Sequence, residues 1–347
     1  MIISNYYKSK KARRKDGLQA FIEYAYVLKM KQKVAVIGAL TALGRAVLDG
    51  LSEQGFVTEN IYALDNRHND GIQIPFQGGF LVVEKLDAFD FNQVRLAFLC
   101  TPSILSEYID RVIGSRAYLI DCVGLYAEEH PCIIPSLNFS DCRNHRIILN
   151  PTSLTVTLAQ VLSPIHKAFP IRAAWTTVLL SAGEFGGPAV QALVDQTRSL
   201  YTREQPVPGP FRQMQAFNLI PEVYPLLARQ TTCQIKSLLH FPMTVATCLT
   251  PIFQGECYSL TLMTRGKCSL EQLERVFLKN DICRLVVEGQ PDSVVTTQDV
   301  ASTDYIYLSH LSVVPYQANT YHLWIVCDSF RNGAVANAVR IAEHLLS

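Results

Sequence analysis

The chain has 347 residues, of which 49% are apolar and 18% are charged, and its formal net charge is +1. This composition is typical of a soluble globular protein with enough apolar side chains for two domains. The near-zero charge argues against a nucleic-acid-binding protein. No apolar run approaches the roughly 18 residues that cross a membrane.

The ten cysteines show no CxxC spacing, and the eight histidines show no metal-ligand spacing. Neither a metal site nor a disulfide framework is therefore expected. Cysteines inside apolar runs, such as Cys100, Cys122 and Cys327, are expected to be buried free thiols. Free thiols indicate a reducing compartment, so we expect a cytoplasmic protein.

Residues 1–29 form a basic N-terminal extension. A cluster rich in lysine and arginine at 8–15 precedes an apolar stretch at 21–28, which is too short for a secretory signal and is interrupted by Glu23. Two interpretations remain open. Either the natural start is Met30, just before the first clear strand, or the extension forms a short helix on the surface.

The first half of the chain alternates between apolar strands and amphipathic helices. Residues 34–37 are apolar and rich in β-branched side chains, as in a strand buried on both faces of a parallel sheet. A helix ending at Gly55 follows, with an apolar face made of Leu40, Leu43, Val47 and Leu51. Further strands are predicted at 61–64, 80–83, 96–100 and 118–122, and a helix at 103–113. This alternation predicts an α/β fold with a doubly wound parallel sheet.

The second half has longer strands. They are predicted at 171–180, 243–250, 258–263, 305–311 and 321–327. Helices are predicted after Ser153, at 188–201, after Ser269 and at 333–346, and the proline-rich stretch 203–212 is predicted to be a loop. This pattern indicates an α+β domain with a large mixed or antiparallel sheet. Such a sheet often pairs with a copy of itself, so we expect a homodimer.

The stretch from Asn150 to Thr155 lies between a short strand at 146–149 and a helix. Thr152 and Ser153 would then stand at a helix N-terminus, where free N–H groups can stabilise an oxyanion. Either hydroxyl is a candidate nucleophile. A hydroxyl attacks a carbonyl at neutral pH only if a base removes its proton, so the pattern requires a base elsewhere in the chain.

The stretch from Gly38 to Gly44 follows a strand and opens a helix, as a dinucleotide-binding turn does. The middle glycine of that motif is missing, because Leu40 and Thr41 stand there. Thr41 can offer a hydroxyl to a phosphate, beside Ala42 and Leu43 at the helix start. The turn therefore has two interpretations: it binds NAD or NADP, or it is retained for packing alone.

The second predicted strand ends at Asp65 and Arg67, where a ribose would be recognised. Asp65 suits a 2′-hydroxyl and Arg67 suits a 2′-phosphate. The choice between NAD and NADP stays open, and a solvated loop is the alternative.

Six stretches match one family in order and spacing. They are residues 34–39, 74–78, 134–138, 150–151, 216–221 and 331–338. On these residues the chain resembles the aspartate-semialdehyde dehydrogenase family over residues 33–347. The resemblance implies a Rossmann domain at 30–150 completed by a C-terminal helix at 331–347, and a substrate and dimerisation domain at 151–330. It also implies amino-acid biosynthesis, with hydride passing from an aldehyde to NADP after attack by a cysteine.

The resemblance places the family's cysteine on Ser153 and its catalytic histidine on Glu256. Its two anion-binding arginines fall on Leu249 and Ala127, and the glutamine of the neighbouring strand falls on Val178. Its substrate-binding glutamate falls on Cys233. Matching pocket and cofactor residues are Asn150, Lys236, Gly183 and Asn337.

These replacements imply a protein without the family's chemistry. Serine forms no thioester, and loss of a coupled nucleophile and base costs a rate factor of roughly a million. The chain thus resembles the Usg-type paralogues, which share this fold and lack the catalytic pair. We therefore expect a non-catalytic homodimer that retains some NAD(P) binding. The alternatives are an oxidoreductase with a relocated nucleophile, on an aldehyde or acyl phosphate, and a regulatory partner of a true dehydrogenase in a heterodimer.

Overall fold

A computed structural model describes residues 32–347 except 104–105, 127–129, 206, 279, 287–293 and 302. The side chains of residues 67, 106, 107 and 143 are not described. The N-terminal extension at 1–29 and Ala127 thus lie outside the described residues. Within the described part, no helix has the length and hydropathy needed to span a membrane.

The helices and strands follow in chain order. Up to residue 149 they are β1 (Val34–Ile37), α1 (Ala42–Glu53), β2 (Ile61–Asp65), β3 (Gln73–Phe76), β4 (Gly79–Lys85), β5 (Leu96–Leu99), α2 (Ser106–Gly114), β6 (Tyr118–Asp121), α3 (Pro135–Asn138) and β7 (Ile147–Leu149). Next come α4 (Ser153–Ala168), β8 (Ile171–Leu180), α5 (Gly187–Thr202), β9 (Ile220–Pro221), α6 (Pro225–Leu239), β10 (Met243–Leu249) and β11 (Glu256–Thr264). The last are α7 (Leu270–Phe277), β12 (Cys283–Leu285), β13 (Ile306–Val313), β14 (Thr320–Cys327), α8 (Ser329–Asn332) and α9 (Ala334–Leu346).

The described chain divides into two compact units. The first contains the residues up to His130, Asp141–Ile148 and Ala338–Ser347, and the second contains Pro131–Ser140 and Leu149–Asn337. Each unit is built on one seven-stranded sheet. The doubly wound sheet and the large mixed sheet predicted from the sequence are both confirmed.

The first sheet has the strand order β3-β4-β2-β1-β5-β6-β7. Its four central pairings, from β4 to β6, are parallel. The edge strand β3 was not predicted; it pairs antiparallel with β4 through a turn at Gln77 and Gly78, which both have positive φ. Pro75 lies in β3, and proline is tolerated there because the strand is at the edge of the sheet.

Helix α1 begins two residues later than its predicted apolar face. Leu40 therefore lies in the preceding turn, and Leu43 is only half-buried. The buried apolar residues of α1 are Val47, Leu48 and Leu51. They pack at the helical spacing of three and four residues that an amphipathic helix requires.

The second sheet has the order β12-β13-β14-β11-β8-β10-β9 and mixes parallel with antiparallel pairs. Alternate residues of β11, such as Tyr258, Leu260 and Leu262, are fully buried in an apolar core that also includes one face of α4. This core fixes the strand ends and helix starts that carry the polar residues described next. Helix α6, which the sequence patterns did not predict, packs against α4.

Candidate functional site

Helix α4 begins at Ser153, directly after a strand and a tight turn, as the sequence predicts. Thr152 is its N-cap, and its hydroxyl accepts a hydrogen bond from Thr155 N at 3.2 Å. Capping of this kind satisfies one of the unpaired N–H groups at a helix start. The turn therefore fixes Ser153 as the first helical residue.

Helix α6 holds the same turn from a second side. Gln234 Oε1 accepts hydrogen bonds from Thr152 N at 3.1 Å and from the Thr155 hydroxyl at 2.6 Å. Thr231 bonds to the Thr152 hydroxyl at 2.9 Å. Cys233 and Lys236, the pocket residues expected from the sequence, are exposed on this helix. It is thus their neighbours Thr231 and Gln234 that contact the turn.

Asn150 and Asn337 form a buried amide pair. Asn337 Nδ2 donates to Asn150 Oδ1 and to Ile133 O, each at 2.9 Å, and Asn150 Nδ2 donates to Ala334 O at 2.9 Å. The backbone N–H of Ala334 donates to the Ser153 hydroxyl at 3.3 Å. These contacts tie the start of α9 to the turn before α4, which gives both asparagines a positioning role.

Glu256 opens β11 and is completely buried. The Tyr258 hydroxyl donates to its Oε2 at 2.5 Å. Its other oxygen, Oε1, has no donor among the described residues. The group beside it is the Glu184 carboxyl, which interacts with Glu256 through charge and hydrogen bonding. A proton held between the two carboxyl groups would give Oε1 of Glu256 a hydrogen-bond partner.

The electrostatics favour a proton on this pair of acids. Burial, followed by the charge of Glu184, raises the pKa of Glu256 well above its usual value, and the Tyr258 hydrogen bond opposes this only in part. Burial also raises the pKa of Glu184, and the nearby side chains of Glu256, Ser329 and Ser153 offset that rise only in part. The two carboxyl groups therefore titrate as a pair that holds a proton more readily than exposed acids do.

Glu184 is the residue that connects the two expected catalytic positions. It lies in the short 3-10 turn Ala182–Phe185 after β8, and its carboxyl interacts with both Ser153 and Glu256. Sequence reasoning missed it. The available signal was an acidic side chain in a turn of small residues at the end of a buried strand, close to where the nucleophile was expected.

The glycine-rich turn of the first unit has the backbone of a nucleotide-binding turn. Gly38 has a φ of +80°, and a Cβ at Gly44 would lie 2.2 Å from Gly38 O, so both positions require glycine. The N–H groups of Ala42 and Leu43 have no acceptor among the described residues. Such groups at a helix start suit a phosphate.

Side chains around this turn are engaged within the protein. The Thr41 hydroxyl lies 2.8 Å from Gly38 O and 3.0 Å from Cys100 O, which share its single proton, and it caps α1 by accepting from Gly44 N. Asp65 accepts hydrogen bonds from Leu40 N, Asn66 N and the Asn69 side chain. Asp65 thus stabilises its own loop. The side chain of Arg67 lies outside the described part.

Comparisons with known proteins agree with this architecture. Residues 33–145 match the family model described as semialdehyde dehydrogenase, NAD binding domain. An aspartate-semialdehyde dehydrogenase of Rickettsia bellii is 28% identical, covering 91% of this chain and 98% of that protein. A Pseudomonas aeruginosa protein named USG-1 protein homolog is 27% identical, covering 90% of this chain and 97% of its own.

Solved structures show the same fold. The structure of a probable aspartate-semialdehyde dehydrogenase from Pseudomonas aeruginosa superposes with a TM-score of 0.83 at 26% identity, over 91% of this chain and 98% of that one. In sequence and in fold, the chain is thus similar to aspartate-semialdehyde dehydrogenases over 91% of its length. An aspartate semialdehyde dehydrogenase from Candida albicans, solved with NADP, shares the fold with a TM-score of 0.71 at 12% identity. The match covers 90% of this chain and 97% of that one.

The remaining residues expected from the family are apolar or tightly packed. Leu249 ends β10, is 1% exposed, and pairs with Leu180 on one side and Ile220 on the other. A Cβ at Gly183 would lie 2.8 Å from Phe253 O, so this glycine permits close backbone packing. Within the described part, no group of histidine, cysteine and acidic residues could hold a metal ion.

Thiols near the acid pair are poor nucleophiles. Burial and the charge of Glu256 raise the pKa of Cys257 to about 11. The same two causes raise the pKa of Cys327 well above its usual value. Because the thiolate is the reactive form, neither cysteine is activated at neutral pH.

The acid pair predicts a pH dependence of stability. The pKa of Glu256 is raised in the folded protein, whereas the unfolded value is about 4.3. Between these values the folded state binds more protons, so the Glu256 contribution is fully present below the unfolded pKa. It is lost as pH rises through the folded pKa.

Glu256→Gln should therefore flatten the fall in the free energy of unfolding above pH about 5, by about 1.4 kcal/mol for each pH unit between the unfolded and folded pKa values. Urea midpoints followed by tryptophan fluorescence measure this, because Trp175 and Trp324 both lie in the second unit. Glu271→Gln, at an exposed site of α7, should keep the wild-type slope. An unchanged slope in Glu256→Gln would contradict the shared proton.

Proposed function

We propose that this chain is a non-catalytic member of the semialdehyde dehydrogenase family that binds NAD or NADP and self-associates in the cytoplasm. The observation that carries the proposal is the side chain facing Ser153. Ser153 and Glu256 both lie close enough to Glu184 to change its pKa, and the Ser153 hydroxyl accepts a hydrogen bond from Ala334 N at 3.3 Å. At the positions where the family has a thiol and an imidazole, this chain has a hydroxyl and a pair of acids.

This arrangement lacks the parts that aldehyde oxidation requires. A hydroxyl needs a strong, correctly placed base to become a nucleophile. Burial raises the pKa of Glu256 well above its usual value, which favours a protonated form that cannot accept another proton. The pKa of Glu184 is raised as well, and a carboxylate is in any case a far weaker base than a serine alkoxide. The buried Leu249 supplies no charge for an anionic substrate.

The alternative of a relocated nucleophile has less support. Cys257 and Cys327 are the thiols whose pKa values respond to Glu256, and in both the pKa is raised. A catalytic thiol requires the opposite shift, which a neighbouring cation or a helix N-terminus would provide. Cys257 also lies next to Glu256 on β11, where alternate side chains point to opposite faces of the sheet.

Ser153→Cys alone should not create activity, because the acid pair and Leu249 would remain. Wild type and Ser153→Cys are each incubated with NADP, phosphate and aspartate semialdehyde, and nicotinamide absorbance is followed. Neither should exceed the rate without protein, and adding Glu256→His to Ser153→Cys should not restore a family-like rate. Turnover by the wild type would refute the non-catalytic proposal.

Nucleotide binding is proposed for the turn from Gly38 to Gly44. When bound, the nucleotide would place its pyrophosphate at the N–H groups of Ala42 and Leu43, and its nicotinamide would supply hydride chemistry in catalytic relatives. The internal bonds of Asp65 argue against a large contribution from this carboxylate to ribose recognition. We therefore expect weak binding with little discrimination between NAD and NADP.

Gly44→Ala should lower the affinity for both nucleotides more than tenfold, because the added Cβ would meet Gly38 O at 2.2 Å and reshape the turn. Titration calorimetry with NAD and NADP measures the affinity, and circular dichroism checks the fold. Gly114→Ala is the matched control, since a Cβ there meets nothing within 4 Å. Equal affinity in wild type and Gly44→Ala would place the nucleotide elsewhere.

Self-association is proposed for the face of the second sheet opposite the apolar core. Two rows across β8, β11 and β14 lie at its centre; they consist of Trp175, Thr261 and His322, and of Thr177, Ser259 and Trp324. No acid, lysine or arginine stands in these rows.

The two rows are also uncharged at their one titratable position. Burial and His310 lower the pKa of His322, so this side chain is neutral at pH 7. Trp175 is 44% exposed, and a neutral, partly apolar sheet face suits a second copy of the chain. The same face is where a heterodimer with a relative would form.

Trp175→Glu should dissociate this dimer, because two-fold pairing would bring the new charges close together without partners. Sedimentation velocity at micromolar concentration measures the mass. Phe80→Glu in the first unit, where the side chain is 59% exposed, should leave the wild-type mass. A wild type that sediments as a monomer would refute the proposed dimer. It would not affect the proposals that the chain lacks catalysis and binds a nucleotide.

A further inference from the structure

Two cysteines stand opposite each other at the carboxyl edge of the first sheet. Strands β5 and β6 pair in parallel, with Leu99 opposite Asp121. Cys100 and Cys122 each follow one residue later, and Cys122 N still donates to Leu99 O at 3.1 Å. Neighbouring strands are about 4.8 Å apart, which lies within the Cα separation of roughly 4.4–6.8 Å that a disulfide spans.

The two side chains are also neighbours. Aligned residues of paired strands point to the same face of a sheet, and Cys100 is the neighbour that most affects the pKa of Cys122. The Cys122 sulfur donates a weak hydrogen bond to Ile120 O at 3.8 Å. Both are free thiols; Cys100 is buried and Cys122 is half-buried. Cys122 is thus the more exposed residue of the pair, and Cys100 lies shielded beside it.

The backbone of Cys100 supports the glycine-rich turn. Its carbonyl accepts the Thr41 hydroxyl at 3.0 Å, and its N–H donates to Ile37 O at 2.9 Å. The next residue, Thr101, is so close to Gly38 that a Cβ there would lie 2.7 Å from Thr101 Cγ2. A shift of Cys100 would therefore move two groups that contact the turn: its own carbonyl, at Thr41, and the next residue, Thr101, at Gly38.

We propose that Cys100 and Cys122 form a thiol–disulfide exchange site that reacts with a low-molecular-weight disulfide such as oxidised glutathione, and that the resulting cross-link changes the conformation of the turn from Gly38 to Gly44. The reaction is independent of the proposed nucleotide binding, although any ligand of this turn would be affected.

The exchange balances without another reactant. The Cys122 thiol loses its proton, and its sulfur attacks one sulfur of oxidised glutathione, whose S–S bond breaks and releases a first glutathione thiolate. The Cys100 thiolate then attacks the Cys122 sulfur of the mixed disulfide and releases a second glutathione. Two protein thiols are oxidised, one glutathione disulfide is reduced, and the two protons pass to the two leaving thiolates.

The surroundings make the first step slow at neutral pH. The neighbouring Cys100 thiol, burial and the charge of Asp121 all raise the pKa of Cys122 well above its usual value. The rate should therefore increase as pH rises toward alkaline values, because the thiolate fraction increases. Cys122 should therefore react with the disulfide during sustained exposure and hardly at all during brief exposure.

The experiment treats the full-length protein with oxidised glutathione at pH about 8, a little below the ordinary thiol pKa, and maps peptides by mass spectrometry after alkylation. We expect loss of two alkylatable thiols and a cross-link between the peptides of Cys100 and Cys122, reversed by dithiothreitol. Cys100→Ser should stop at a glutathione adduct on Cys122. Cys257→Ser, in the second unit, should still form the cross-link. A folded wild type that forms only adducts, or no cross-link, would overturn the site.

Hydrogen–deuterium exchange tests the coupling to the turn. Oxidation should change the exchange of peptides covering residues 38–44 by about threefold or more, as expected for a shift in local opening. Cys122→Ser treated in the same way should show no such change. Identical exchange in the reduced and cross-linked wild type would overturn the coupling while leaving the exchange site itself in place.

Discussion

Burial of a carboxyl group at the start of β11 is the constraint around which the polar residues of the second unit are arranged. Glu256 has no exposed surface, and an isolated buried carboxylate costs far more free energy than any single contact returns. The protein meets this cost with a tyrosine hydroxyl on one oxygen and a second acid beside the other. A protonated Glu256 is the state that these neighbours stabilise together.

The buried acid pair also determines which group faces the Ser153 hydroxyl. The turn before α4 is held by Thr231 and Gln234 from α6, and its Asn150 bonds to Ala334 at the start of α9. Ser153 is therefore positioned as firmly as a nucleophile would be. Ser153 differs from an activated nucleophile in the group that faces it, because Glu184 is coupled to Glu256 and is not a free base. Firm positioning of this residue is a property of the fold and does not by itself indicate catalysis.

The sequence predicted the architecture well because strand and helix periodicity depends on local burial. The strand at 171–180 and the helix opened by Ser153 were predicted at their observed positions. Edge strand β3 was missed because Pro75 and a two-residue turn disguise it. Helix α1 starts later than its apolar pattern suggested because Thr41, as its N-cap, places Leu40 in the turn.

The site was only partly predictable, since its main contacts join residues far apart in sequence. Ser153 and Glu256 could be placed through motifs, but Glu184 lies in a turn of small residues that no local pattern marks as functional. The position of Glu184 beside Glu256 depends on the sheet order, which brings the end of β8 next to the start of β11. Likewise, Cys100 and Cys122 were expected to be buried free thiols, but Cys122 is only half-buried. Only the parallel register of β5 and β6 makes them a pair.

The electrostatics of the α4 N-terminus connect these observations. A helix start carries a partial positive charge and favours an anion nearby. In this chain the acidic group beside the first residue of α4 is the protein's own Glu184, which is coupled to Glu256. An anionic ligand, such as a carboxylate or a phosphate, would have to approach these acids without an opposing cation from Leu249 or Glu256. The partial positive charge at the start of α4 is therefore met from within the protein.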